Sequence, residues 1–391
     1  MKVTKFKNLE TQLIHAGEPR PRVQGAINVP IFQSSTFECK DEIEPSRDSY
    51  YGIRYIRLNN TPNHQVLHKK LSVLEKGEDA RVTSSGMAAI SSSLLAILSS
   101  GDHLLVQKGI YGGTYDFITK DLPSLGISFD FIDGDDSNSW ERHLKSNTRA
   151  IYAESVTNPL MQVGNLQAFV QFAKSKSLVS FIDNTFLSPV NFRPITLGFD
   201  LSLHSGTKYL NGHSDVAAGA IIGSSDFIER IDQWLAHLGG VLDPHACFLL
   251  HRGMKTLSLR VQYQNQSALK IAQFLEDHPF VSKVNYPGLE TSIYYQRACR
   301  WFNGFGGMLS FELKEGLRGA KRFIKALTLP VEAPSLGGVE TLITRPATTS
   351  HLGMNAEERL KLDISDGLIR LSVGLESTED LLEDFDQALN V

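Results

Sequence analysis

Hydrophobic residues in this chain are gathered into short runs, and seven of them recur between residues 79 and 224. They are "DARVTSS" (79–85), "DHLLVQK" (102–108), "ISFDFID" (127–133), "RAIYAES" (149–155), "LVSFIDN" (178–184), "DLSLHSG" (200–206) and "AAGAIIGS" (217–224). Each is rich in Val, Ile, Leu or Phe and too short for a helix, so each predicts a strand. Around and between them lie stretches with apolar residues at helical spacing, such as "HQVLHKKLSVLE" (64–75), "GMAAISSSLLAIL" (86–98) and "NLQAFVQFAKSK" (165–176). Strands that alternate with helices imply crossover units, and therefore an α/β fold built on a seven-stranded, mainly parallel sheet. Ligands of such sheets collect beyond the carboxyl ends of the strands.

The flanks follow different patterns. Residues 1–60 hold turn residues and little periodicity, and "PRPRVQGAINVPIFQSSTF" (19–37) predicts an arm. Past residue 225 the chain becomes mostly helical, with a long segment at 247–278 in which Gly253 is a candidate kink. Three strand-like runs follow, "GMLSFEL", "TLITRP" and "GLIRLSVGLE", with helices at "GAKRFIKAL" and "TEDLLEDFDQAL". This predicts a small C-terminal α+β domain. The expected division is an arm at 1–60, a large domain around the sheet at 61–250 and a C-terminal domain at 251–391.

Composition narrows the classes. A chain of 391 residues can bury a large core, and its net charge of −4, with no basic stripe, argues against nucleic acid as a partner. The most apolar helical stretch, "AAISSSLLAIL", is short and broken by three serines, so it predicts no membrane span. Cys39, Cys247 and Cys299 are few and far apart, which fits a reducing cytoplasm better than a disulfide framework. His245, Cys247 and His251 match no zinc spacing, so no metal is expected.

Polar groups stand at the ends of the predicted strands. "SSGMAAI" (84–90) places Gly86 and Met87 where a strand becomes a helix, and N–H groups at a helix start bind phosphate. "YGGTY" (111–115) offers an aromatic before two glycines, "ESVTNP" (154–159) ends with Asn158 before a proline, and "FIDNTF" (181–186) ends an apolar strand with Asp183. In "LHSGTKYLNGHSD" (203–215), Lys208 follows Ser205 and Thr207. Singly these are a cap, a turn or a solvated lysine. Together they match pyridoxal phosphate, whose aldehyde, ring nitrogen, ring oxygen and phosphate need a lysine, an acid, an amide and a helix start with hydroxyls.

The chain also resembles the cystathionine synthase and lyase family of pyridoxal-phosphate enzymes, those of cysteine and methionine metabolism. The matching stretches include "PIFQSSTF", "YIR", "SSGMAAI", "YGGTY", "FIDNTF", "HSGTKYLNGHSD", "RGMKTLSLR", "VNYPGL", "SLGGVETL" and "LIRLSVGLE". The resemblance implies the aspartate-aminotransferase-like fold and a homo-oligomer, a dimer at least and a tetramer by family habit. It implies that Lys208 binds the cofactor covalently and moves the proton at Cα. Asp183 would pair the ring nitrogen, Asn158 the ring oxygen, and Tyr111 would stack on the ring and assist as an acid. Gly86, Met87, Ser205 and Thr207 would hold the phosphate, and Tyr55 and Arg57 would reach the phosphate of a neighbouring subunit. Arg370 would pair the carboxylate of a sulfur amino acid, with Ser335 and Tyr55 lining the same pocket. Four positions depart from the family pattern. Thr61 and Pro62 are transposed, Gly113 stands where methionine-cleaving members carry a cysteine, and Pro334 stands where members acting at the γ-carbon often carry a glutamate. The reaction these features favour is β-cleavage of cystathionine. The alternatives are cystathionine γ-synthase, cystathionine γ-lyase and O-acylhomoserine sulfhydrylase.

Overall fold

The computed structural model describes residues 6–39 and 53–391. Seven strands, β1 (Asp79–Thr83), β2 (His103–Gln107), β3 (Ser128–Ile132), β4 (Thr148–Glu154), β5 (Val179–Asp183), β6 (Leu201–Ser205) and β7 (Gly219–Gly223), form one sheet in the order β1-β7-β6-β5-β4-β2-β3. Each coincides with one of the seven apolar runs. Strands β2, β3, β4 and β5 pair in parallel, whereas β7 runs antiparallel to both β1 and β6. A second sheet holds β8 (Val281–Asn285), β9 (Met308–Leu313), β10 (Val331–Glu332), β11 (Leu342–Thr344) and β12 (Ile369–Ser372), in the order β10-β11-β12-β9-β8. The predicted α/β class with a second, smaller sheet is what the chain adopts.

The chain forms two compact units, one of Met1–Ser99 with Arg193–Ser258 and one of Ser100–Phe192 with Leu259–Val391. In the first, the helix Pro62–Glu75 begins with proline at its first turn, where the missing N–H costs nothing. The transposed Thr61-Pro62 pair is thus a sound helix start. Its last residue, Glu75, meets His204 of β6 at 2.6 Å, both buried. Gly219 opens β7 where a Cβ would lie 2.2 Å from the Ser85 carbonyl oxygen. Only glycine allows that approach, which brings β7 against the turn leaving β1.

In the second unit the helix Leu166–Lys176 is capped by Asn165, which accepts from the Ala168 N–H, and ends with Ser177 in the left-handed region. The smaller sheet covers a core of Leu309, Phe311, Phe323, Ile369, Leu371 and Phe385. The sequence pattern does not predict β8 or β10. The long helical segment is two helices, Pro244–Met254 and Leu257–Asp277, and the break falls after Gly253 rather than at it. Gly253 has a packing role instead: a Cβ there would lie 2.2 Å from the Asn211 carbonyl oxygen. Of the His245, Cys247 and His251 trio, Cys247 is buried and His251 faces Glu18 at 3.2 Å. Among the described residues no cluster of His, Cys, Asp and Glu is arranged to hold a metal ion, and no helix is long and apolar enough to cross a membrane.

Candidate active site

In the first unit, Ser205 ends β6, and Gly206, Thr207 and Lys208 form the turn that follows. The Lys208 N–H closes that turn on the Ser205 carbonyl at 3.2 Å, and Gly212 donates to the Lys208 carbonyl at 2.8 Å. Thr207 is pinned to Ala218: its hydroxyl donates to the carbonyl at 3.2 Å and accepts the N–H at 2.9 Å. Against this turn stands the start of the helix Gly86–Ile97. Its cap is Ser85, whose hydroxyl accepts from Ala88 at 3.0 Å while its carbonyl takes the Ala89 N–H. The N–H groups of Gly86 and Met87 precede these bonds and are half-buried. Gly86 is dictated by contact, because a Cβ there would lie 2.8 Å from Ser205 Cβ and 3.1 Å from its Oγ.

Tyr55 and Arg57 belong to the same unit. The Arg57 guanidinium lies 5.7 Å from the Tyr55 ring centre and donates to the Ala236 carbonyl at 3.0 Å. Ala236 is in the last turn of the helix Ser225–Leu238, the end that favours a cation.

In the second unit, Asp183 ends β5, and one of its carboxylate oxygens accepts both the N–H (2.9 Å) and the hydroxyl (2.5 Å) of Thr185. Its partner on the adjacent strand is Glu154, the last residue of β4. Glu154 is 5 % exposed, and its carboxyl accepts the Tyr111 N–H at 2.6 Å. Burial, together with the charge of Asp183, pushes that carboxyl well above the usual carboxylate range even though the Tyr111 N–H acts against the shift. Glu154 thus fixes the backbone from which Tyr111 projects, with its ring 42 % exposed. Gly112, the next residue, tolerates no Cβ, since one would lie 2.0 Å from the Ser350 carbonyl oxygen.

A third cluster joins Asn158, Arg370 and Ser335. Arg370, on β12, donates from Nη1 to Asn158 Oδ1 at 3.1 Å and from Nη2 to the Ser335 carbonyl at 3.2 Å. Ser335 has φ +93°, a strained value for a residue with a side chain. Arg370 is only 5 % exposed, and its charge, after burial, acts against a proton on the buried His351.

A Cys/Met metabolism PLP-dependent enzyme model matches residues 10–390. The chain belongs to this family. It is 41 % identical over 382 residues to "Cystathionine beta-lyase MetC" of Bacillus subtilis, covering 97 % of this chain and 96 % of that one. It is 42 % identical over 381 residues to "Cystathionine gamma-lyase" of the same organism, covering 97 % and 98 %. Among solved structures, cystathionine gamma-lyase from Lactobacillus plantarum complexed with L-serine superposes with a TM-score of 0.91 at 37 % identity, covering 98 % of this chain and 99 % of that one.

The cofactor of the Cys/Met metabolism PLP-dependent family is pyridoxal phosphate, and the residues present suit it. The half-buried N–H groups of Gly86 and Met87 beside the Ser205 hydroxyl are anion donors. The carboxylate of Asp183 suits a ring nitrogen, and Lys208 supplies an amine. Two further residues emerge from the fold. Glu154 is visible in the sequence as a strand-end acid, but its bond to Tyr111 spans 43 positions. His351, in "TTSHLGM", carries no local signal, because its neighbours Asn158 and Arg370 are distant in sequence.

Proposed function

We propose that this enzyme is a cystathionine β-lyase, which with one water converts cystathionine to homocysteine, pyruvate and ammonia. The observation that carries this reading is the place of Pro334. It is exposed and directly precedes Ser335, whose carbonyl holds Arg370. A proline brings no charge and no N–H to that position. A substrate whose α-carboxylate is paired with Arg370 would meet no anion there for a distal ammonium, which weakens the binding that γ-chemistry on cystathionine calls for.

In this reading Arg370 grips the α-carboxylate with a forked guanidinium that Asn158 and Ser335 already orient. The amine of Lys208 takes the proton from Cα and acts as general base. Asp183 keeps the ring nitrogen protonated. Pyridoxal phosphate supplies an electron sink for the pair left at Cα. Tyr111 or Lys208 gives a proton to the thiolate leaving from Cβ. Gly86, Met87, Ser205 and Thr207 hold the phosphate, and Tyr55 with Arg57 serves a neighbouring subunit of a homo-oligomer acting in the cytoplasm. Thr207 does so by its position, since its hydroxyl proton and its N–H are both committed to the Ala218 carbonyl.

The reading that γ-cleavage dominates is favoured by the 42 % identity to a cystathionine gamma-lyase. One experiment separates them. Purified enzyme incubated with cystathionine should release chiefly pyruvate and homocysteine, and Pro334→Glu should raise the share of 2-oxobutyrate and cysteine. If 2-oxobutyrate is the main product of the native enzyme, the β-lyase reading is wrong while the family stands.

A further inference from the structure

The stretch that departs from the family pattern after Arg57, "LNNTPNH" (58–64), carries three asparagines, and each holds a different segment of the first unit. Asn59 stands in the left-handed region at φ 55°, where it closes the turn Ile56–Leu58, and its amide donates to the Val82 carbonyl of β1 at 2.8 Å. Asn60 accepts the Tyr55 N–H at 2.9 Å and donates to the Ile53 carbonyl at 2.7 Å. Asn63, in the first turn of the helix Pro62–Glu75, accepts the Phe32 N–H at 2.8 Å and donates to the Pro30 carbonyl at 2.9 Å. Asn59 and Asn63 are buried and Asn60 is half-buried.

The segments held are those that carry or support Tyr55 and Arg57. Apart from the single turn Ile56–Leu58, residues 53–58 belong to no helix or strand, and Tyr55 makes one isolated bridge with Thr36. The Ile56 N–H reaches the Ser35 carbonyl at 3.0 Å. Asn60 therefore fixes the backbone at Tyr55 directly, and Asn63 fixes the arm just ahead of Ser35 and Thr36. An asparagine suits this work, because one side chain both accepts and donates and so spans an N–H and a carbonyl of the same segment. The Tyr55 ring is left 36 % exposed, with the Arg57 guanidinium 5.7 Å from its centre and anchored on the Ala236 carbonyl. An exposed aromatic and a cation are thus presented in a set geometry by a segment with little structure of its own.

We infer that Asn60 is a positioning residue which, with Asn63 holding the arm behind it, sets Tyr55 and Arg57 for the cofactor phosphate of a neighbouring subunit. The inference rests on the reading of Tyr55 and Arg57 as the pair that serves a neighbour. Asn60 acts on its own chain, and the benefit falls on the neighbour's site. Holding the pair in place beforehand removes the cost of ordering it on contact.

The test compares cofactor affinity in oligomers of one kind of subunit with that in mixed oligomers. Pyridoxal phosphate is titrated into the full-length apoenzyme, and the native visible absorption band, which requires Lys208, is followed. Asn60→Ala should weaken the cofactor about tenfold, as loss of the hydrogen bonds that order a contact does. Asn60→Asp keeps an acceptor for the Tyr55 N–H but cannot donate to Ile53, and should weaken it about threefold. The aspartate variant takes the place of the alanine one should the latter not fold. After exchange with an excess of Lys208→Ala subunits, Asn60→Ala subunits should regain native affinity. Each site that carries Lys208 is then served by a neighbour whose Asn60, Tyr55 and Arg57 are intact. Arg57→Ala is the control, and should be weakened and rescued in the same way. If it is, while every folded Asn60 variant binds the cofactor as the native enzyme does, the inference fails and the reading of Arg57 survives. Asn60 variants that are weakened and not rescued would mark a role within their own subunit's site and also overturn the inference. If Arg57→Ala is not weakened, or is not rescued, the reading of a pair that serves a neighbour fails and the inference falls with it.

Discussion

The residues around Lys208 and those around Arg370 are built on opposite principles. The first set is mostly backbone and small side chains: two N–H groups at a helix start, a glycine in contact with a serine, and a threonine tied to Ala218. The second set is polar side chains that hold one another or a backbone group: Glu154 on the Tyr111 N–H, Thr185 on Asp183, Asn158 on Arg370. A backbone cradle is hard to improve or damage except by steric intrusion. A web of buried polar groups transmits each change to its neighbours, because a group left unpaired costs more than the bond gave.

Four experiments test that contrast. The largest effect belongs to the one side chain in the first set that nothing can replace. Lys208→Ala should lower turnover by at least about 10³-fold and abolish the native visible absorption band, with the fold retained in circular dichroism. A variant with native colour and rate would remove Lys208 from the chemistry. Asp183→Ala should follow, at about 10²-fold in kcat, and should also disturb Thr185 and Glu154. Near-native kcat would reduce Asp183 to a local cap for Thr185.

Next comes Gly86→Ala. Its new Cβ would meet Ser205 at 2.8 Å, so phosphate binding should weaken and the fold lose about 1–3 kcal/mol by overpacking. Cofactor dissociation measured by dialysis, with a thermal melt alongside, checks both. Unchanged affinity would show that the cradle has slack that its geometry denies.

The smallest effect is one of pH. His64 and His351 are both held down to about 4, chiefly by burial. Their depressed affinity for protons means that the unfolded chain binds more protons between about pH 6.5 and 4. Their contribution to stability is therefore complete above about 6.5 and is lost as the pH falls toward 4. His351→Gln should flatten part of that slope in denaturant titrations. A slope identical to native would mean that the ring is already charged in the fold.

How much of this could be read beforehand depended on burial and on distance along the chain. Strands β2 and β7 are buried at every position, and each shows an apolar centre, Leu104–Val106 and Ala220–Ile222. Strand β8, "VSKVN", exposes Ser282 and Lys283, and both residues of β10 are exposed, so neither leaves an apolar signature. The same rule governed the chemistry. Lys208, Ser205 and Thr207 lie within four positions of one another, and Asp183 announces itself as a carboxylate after Phe181 and Ile182. The Glu154 bond to Tyr111 and the approach of His351 to Arg370 arise only when distant segments meet. Gly253 was legible as a special position but not for its reason, which is the Asn211 backbone lying against it.

The backbone at Ser335 has a consequence for anyone redesigning substrate choice. A serine at φ +93° is a conformation most residues resist, at about 1–3 kcal/mol, and here its carbonyl fixes one arm of Arg370. The loop is therefore a sprung latch with a small residue as its catch. Glycine at 335 would relax the spring and leave the arm less firmly held, while a β-branched residue would force the latch to a new setting. Combinatorial libraries aimed at new thiol leaving groups should thus vary 333 and 334 freely and treat 335 as a separate dial for stringency.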